Sequence, residues 1–239
     1  MGCSSCSKGG GKDSEGGCES HKGPQRILFD QTLAAVYPDR TWGNIDEEAS
    51  FLRGVRTEEV RRIGQALSVA TRAPSFYRAG GPDDLCDFIY VLCVGREPSL
   101  LDVRDGIAPI SSALYEGAPE GKISERYLRI AFSSITRAAT VQEVAFELEA
   151  DGDTFFIRES PQPGVYDPIL LKRMRTIVDF VEANDIEHLD FGLCDKPAPD
   201  VSFGDYVERF SAEPAWVNFL FYAQPARTSS VTVLSTLPR

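Results

Sequence analysis

The sequence predicts an α+β domain: a mainly antiparallel sheet covered by amphipathic helices, preceded by a flexible Cys/Gly-rich tail. Three observations carry this. Two strand-like segments, Val141–Glu149 and Thr154–Glu159, flank Asp151-Gly152, the mark of a hairpin. Two others, Thr57–Thr71 and Asp167–Asn184, carry apolar residues at helical spacing. The first 23 residues carry no apolar side chain except Met1 and three cysteines. The tail is assigned to residues 1–24 and the globular domain to 25–239.

Gln25–Tyr37 turns abruptly apolar and is expected to open the body as a short helix or strand, broken by Pro38. Asp46, Glu47 and Glu48 form an acidic group best read as a helix start. In Thr57–Thr71, Thr57 is the expected cap, and Val60, Ile63, Leu67 and Ala70 share the apolar face. Gly64 weakens that helix and suits close packing. Ala73–Asp84 reads as a loop with two aromatics and an arginine.

Phe88–Val94 is β-branched and aromatic, as in a buried central strand, with Cys86 and Cys93 as core thiols. Arg96–Gly121 contains four turn signals and is expected to be a long connection. Arg126–Phe132, Val141–Glu149 and Thr154–Glu159 read as strands. Val144, Phe146 and Leu148 alternate with Ala145, Glu147 and Glu149, so one face should be buried and the other wet.

In Asp167–Asn184, Asp167 is the expected cap, Pro168 fits the first helical position, and Asn184 ends the helix. Leu170, Met174, Ile177, Val178 and Val181 form its stripe. Ile186–Leu193, Ala215–Ala223 and Ser229–Leu237 are predicted strands, and Phe203–Phe210 a short helix.

The sharpest chemical signal is in the tail, where Cys3, Cys6, Cys18 and His21 follow the pattern C-x2-C-x11-C-x2-H. Three thiolates and a neutral imidazole suit tetrahedral zinc, and the same set can ligate an iron–sulfur cluster. The glycines between them permit the left-handed turns of a tight metal knuckle. Ordering that loop must overcome about 1–2 kcal/mol of backbone entropy per residue. A disordered tail with incidental cysteines is the rival reading.

The start of the tail bears a second reading. Met1-Gly2-Cys3, followed by Lys8 and Lys12, resembles the N-terminal acylation signal of Src-type tyrosine kinases. The resemblance implies myristate on Gly2 and palmitate on the nearby cysteine, in a eukaryotic host. Cys6 stands where that signal has Ser or Thr, and Lys8, Lys12 and Lys22 are balanced by Asp13, Glu15 and Glu19. Membrane tethering is therefore not the expectation.

A net charge of −11 argues against nucleic acid, which needs clustered cations. No apolar run approaches the roughly 20 residues that span a bilayer, and the N-terminus lacks a secretory h-region. A reducing cytoplasmic setting is expected, and it keeps thiols available for metal. No phosphate loop, dinucleotide fingerprint or nucleophile elbow is present.

Two functional expectations follow. The first is a non-catalytic accessory protein or small subunit of a larger redox or metal-dependent complex, with a protein partner and a metal-binding tail. The second is a small-molecule enzyme whose pocket involves Arg72–Arg78 and His188. Cys194 could join His188 only if the strand continued unbroken past Gly192.

Overall fold

The computed structural model describes residues 24–73, 75–81, 84–92, 122–151, 154–162, 168–194, 196–198, 200–222 and 230–234. Helix α1 (Pro24–Val36) starts on a proline, whose fixed φ and missing N–H suit the first helical turn. Helix α2 (Glu47–Arg53) is capped by Asp46, whose carboxylate accepts the Ala49 N–H at 3.0 Å. The acidic group is thus a helix start.

Helix α3 spans Thr57–Thr71 as the periodicity predicts, with two corrections. Arg56 is the N-cap, and the Thr57 hydroxyl instead donates to Asp87 at 2.8 Å. Ala70 is exposed and Thr71 takes the buried place, its hydroxyl bonded to the Leu67 carbonyl. Arg72 then ends the helix in the left-handed region, at φ 50°.

The predicted loop after α3 contains a strand, β1 (Ser75–Arg78), which pairs with β2 (Cys86–Leu92). Phe76 and Tyr77 are both buried, on opposite faces. Strands β3 (Lys122–Ser133), β4 (Ala138–Asp151) and β5 (Thr154–Pro161) follow, each antiparallel to the one before. Asp151 pairs with Thr154, so the hairpin reverses at the Asp-Gly signal, one residue later than an Asp-Gly loop itself would give.

Helix α4 (Pro168–Glu182) buries Leu170, Ile177 and Val181, with Met174 and Val178 partly covered. Asp185, not Asn184, takes the left-handed residue after it, at φ 57°. The next strand is shorter than predicted: β6 covers only Glu187–Leu189, and a helical turn, α5 (Phe191–Cys194), replaces its second half. A short helix, α6 (Tyr206–Phe210), precedes α7 (Trp216–Leu220). Helix α7 stands where a strand is expected, because Val217–Leu220 are buried all round and leave no periodic polar face to read. Its first turn is held by Asn218 Oδ1, which accepts the Ala215 N–H at 2.8 Å.

Strand β7 (Ser230–Leu234) completes the sheet, whose order is β1-β2-β3-β4-β5-β7. Strand β6 lies beside the first half of β4, parallel to it. The sheet carries an apolar cluster on each face. One face meets α3 and α4 through Ile89, Val91, Leu128, Ile130 and Val141. The other meets α1 and α7 through Phe88, Tyr90, Tyr127 and Phe146. Helices on both faces explain why the first half of β4 is buried on both sides, while Glu149 in its second half is exposed.

The aromatic packing on the α1/α7 side is specific. Phe29 stacks on Trp216 at 4.5 Å, and Tyr37 meets Phe219 edge-on. The Tyr37 hydroxyl donates to the Phe219 carbonyl at 2.7 Å, and Trp42 Nε1 to that of Asn218 at 3.1 Å. These bonds satisfy buried polar tips that burial alone would penalise.

Candidate functional site

The charged chemistry of the body gathers on the sheet face beneath α1 and α7. Alternate residues of one strand share a face, so β2 contributes Cys86, Phe88 and Tyr90, and β3 contributes Tyr127 and Arg129. Register then places Arg129 between Tyr90 on β2 and Gln142 on β4, and Arg78 of β1 opposite Phe88.

Arg129 donates from Nη2 to Gln142 Oε1 at 2.6 Å. Its guanidinium carbon lies 5.3 Å from the Tyr222 ring centroid and 5.9 Å from that of Phe88. The Phe88 and Tyr222 rings stack at 5.8 Å, so the cation rests against a paired aromatic surface. Arg78 lies 5.9 Å from the Phe88 centroid and donates from Nη1 to the Tyr90 hydroxyl at 3.1 Å. The rings of Tyr90 and Tyr127 meet edge-on at 5.3 Å, and the Tyr127 hydroxyl donates to the Glu159 carboxylate of β5.

Tyr90, Tyr127 and Glu159 are buried. A carboxylate there needs compensation, and it comes from the Tyr127 hydroxyl and the charges of Arg78 and Arg129. Two groups remain uncompensated: Arg129 Nε and the Tyr222 hydroxyl are buried without a hydrogen-bond partner.

Burial, then the negative charge of Glu159, raises the pKa of Tyr90 and of Tyr127. Burial raises that of Tyr222 despite the nearby Arg129 cation. Burial pushes the Cys86 thiol up as well, with Asp84 adding to it. Burial opposes the cations of Arg78 and Arg129, but the phenols and Glu159 outweigh it and leave both above the usual value.

Of the described residues expected to form a pocket, the structure brings Arg78 into this cluster, and places Phe76 beside Tyr90 on the same face. Arg72 is exposed. His188 pairs with Ala139, whose side chain belongs to the opposite face. It is also four strand steps from Arg78, about 19 Å at 4.8 Å per step. His188 Nε2 is buried without a partner, and burial lowers its pKa against the pull of Asp190 and Glu182. Because α5 replaces the strand after Leu189, the continuous alternation required to align His188 with Cys194 does not exist.

The candidate ligands Cys3, Cys6, Cys18 and His21 lie outside the described residues, as do Cys93 and the expected connection Arg96–Gly121. Among the described residues, no group of three or more His, Cys, Asp and Glu is placed to hold one metal ion. No described helix is long and apolar enough to cross a membrane.

The sequence reading overlooked Arg129, Glu159 and Tyr127. The available signal was Arg129 itself, a charge inside RYLRIAF with apolar neighbours on either side. No family model, no curated protein and no solved structure matches this chain.

Proposed function

We propose that this chain is a non-catalytic accessory protein, or the small subunit of a larger redox or metal-dependent cytoplasmic complex. Its tail, through Cys3, Cys6, Cys18 and His21, would hold zinc or an iron–sulfur cluster. One observation carries the non-catalytic half. Each group of the sheet-face cluster with a displaced pKa is displaced away from neutrality: three phenols and a thiol upward from already high values, and two guanidiniums upward as well. General acid–base catalysis works best near the operating pH. A cluster with such fixed protonation suits structure or binding.

The same observation bears on the metal. Coordination needs a thiolate, and burial holds Cys86 in its thiol form. The test is elemental analysis of anaerobically purified full-length protein, with affinity capture of its partners from the native host. We expect bound metal, its loss in Cys3→Ser/Cys6→Ser, and a stoichiometric protein partner. Equal metal content in both proteins, or none in either, overturns the tail site; a monomer with turnover on a small molecule overturns the accessory role.

One observation favours the enzyme reading instead. Arg129 Nε and the Tyr222 hydroxyl are buried donors without a hydrogen-bond partner beside an aromatic surface, the kind of pair that binds a carboxylate. Turnover abolished by Arg129→Gln, with the fold intact, would decide for it.

A further inference from the structure

Arg129 Nε and the Tyr222 hydroxyl are the two donors of the sheet-face cluster that lie buried with no acceptor in the protein. Leaving such a donor unmet is costly, most of all on a charged group. They belong to adjacent side chains, since the Arg129 guanidinium carbon is 5.3 Å from the Tyr222 ring centroid. The Phe88 and Tyr222 rings attract the cation but offer its N–H no lone pair. Nη2 is committed elsewhere, to Gln142 at 2.6 Å.

Rigid elements hold both donors. Register sets Arg129 opposite Tyr90 of β2 and Gln142 of β4. Tyr222 follows α7 and is fixed by its own backbone: its N–H donates to the Val217 carbonyl, and its carbonyl accepts Asn218 Nδ2, both at 3.1 Å. Tyr222 is buried, whereas Arg129 and Arg78 are half-buried. A small molecule arriving from solvent therefore meets the guanidiniums first and the phenol behind them.

Charge selects the ligand. Both guanidiniums spend their hydrogen bonds on neutral groups, Arg129 on the Gln142 amide and Arg78 on the Tyr90 phenol. Among the described residues of the cluster one buried carboxylate, Glu159, answers the two cations, and it takes the Tyr127 hydroxyl. Asp84 also acts on Arg78 and Tyr222, from the turn before β2, where it accepts the Gly81 N–H at 2.9 Å. It is half-buried, so water screens its charge, yet it stands near enough to disfavour a dianion such as phosphate. Two donors, one spare positive charge and an aromatic wall match the two oxygens, single charge and organic body of a monocarboxylate.

We propose that Arg129 and Tyr222 form a receptor for a small organic monocarboxylate, which the body holds unreacted. The inference shares its residues with the enzyme reading but rests on the accessory one. The displaced groups of the cluster keep a fixed protonation, so the anion is a bound ligand rather than a substrate.

The test titrates isotope-labelled full-length protein with formate, acetate, benzoate, phosphate and benzamide at fixed ionic strength. It follows the Arg129 Nε–H resonance, identified by its loss in Arg129→Lys. We expect a saturable shift with at least one of the three carboxylates. Tyr222→Phe keeps that resonance and should bind the same carboxylate at least about tenfold more weakly. Its melting temperature should be unchanged or raised, because the substitution deletes a buried hydroxyl that has no partner. No shift with any carboxylate overturns the proposal and leaves ordered water on the two donors. Equal shifts with phosphate or benzamide, or unchanged affinity in Tyr222→Phe, overturn it as well. Consumption of the carboxylate overturns the unreacted ligand and returns the site to the enzyme reading. Protein that retains a stoichiometric partner yet binds no carboxylate refutes the receptor and leaves the accessory role standing.

Discussion

Gly54→Ala should destabilise the fold, although its backbone angles suggest the reverse. Gly54 follows α2 with φ −73° and ψ 165°, an extended conformation that any residue adopts. On backbone grounds, replacing such a glycine by alanine gains about 0.4–1 kcal/mol by restricting the unfolded chain. The surroundings oppose it. A Cβ at this position would lie 2.8 Å from Ser134 Cα and closer still to the Ser134 carbonyl, whereas carbon atoms settle at about 3.5–4.0 Å.

The neighbour is poorly able to yield. The Ser134 N–H donates to the Leu85 carbonyl, and the Ser133 hydroxyl to that of Leu220. If Gly54 moves instead, it strains the adjacent Val55 N–H bond to the Ser133 carbonyl, now 2.8 Å. Overpacking costs about 1–3 kcal/mol and the lost bond about 1 kcal/mol, against the smaller gain. A net loss of about 1–3 kcal/mol is expected, or roughly 2–4 °C of melting temperature per kcal/mol in a chain of this size. Urea unfolding followed by far-UV circular dichroism measures it. An alanine variant at least as stable as the wild type would refute the reasoning.

Four further outcomes are expected. Phe219→Ala, which removes a fully buried ring from between Phe29 and Tyr37, should cost about 3–5 kcal/mol in the same assay. The Arg137 guanidinium bonds Glu59 through both Nη nitrogens and holds that carboxyl below its usual value. The depressed carboxyl stabilises the fold above the unfolded-state pKa, about 4.3, and loses that contribution as pH falls through the folded value; the stability gap between wild type and Arg137→Gln should narrow there. Burial lowers the His188 pKa, so its contribution is intact above about 6.5 and lost as pH falls; His188→Gln should gain relative to wild type between pH 7.5 and 5 in urea titrations. Deleting Met1–Gly23 should shift calorimetric melting by no more than about 2–4 °C, equivalent to about 1 kcal/mol, because that segment has few apolar side chains to bury.

What could be read from the residues was whatever one face left polar. Helix α4 was legible because Leu170, Ile177 and Val181 repeat against charged neighbours, and the β4–β5 hairpin because Asp-Gly separates two strand-like runs, the first of them alternating. Helix α7 was not, since Trp216–Leu220 sits among aromatics on all sides and its composition resembles a strand. Strand β1 was hidden by its length of four residues and by the Gly-Gly-Pro that follows. The arginine cluster was illegible for another reason. Arg78, Arg129 and Glu159 are far apart in sequence, and register alone brings them onto one face. The alignment of Arg78 with His188 failed similarly, because sequence does not reveal which strand lies four places away.

Strand β4 shares one of its edges between two partners that arrive from opposite directions. Strand β6 covers Ala138–Thr140 in parallel, and β5 covers Val144–Asp151 in antiparallel. The junction is stitched by the Gln162 N–H, which donates to the Glu143 carbonyl at 2.8 Å, while the Glu143 side chain is buried against Arg126 at 2.7 Å. A one-residue insertion between Thr140 and Val144 would turn Val144 and Phe146 away from their face and break the alignment with β3 and β5. Length variation among descendants of this chain should therefore collect at the Asp151-Gly152 turn and leave Ala138–Asp151 constant in length.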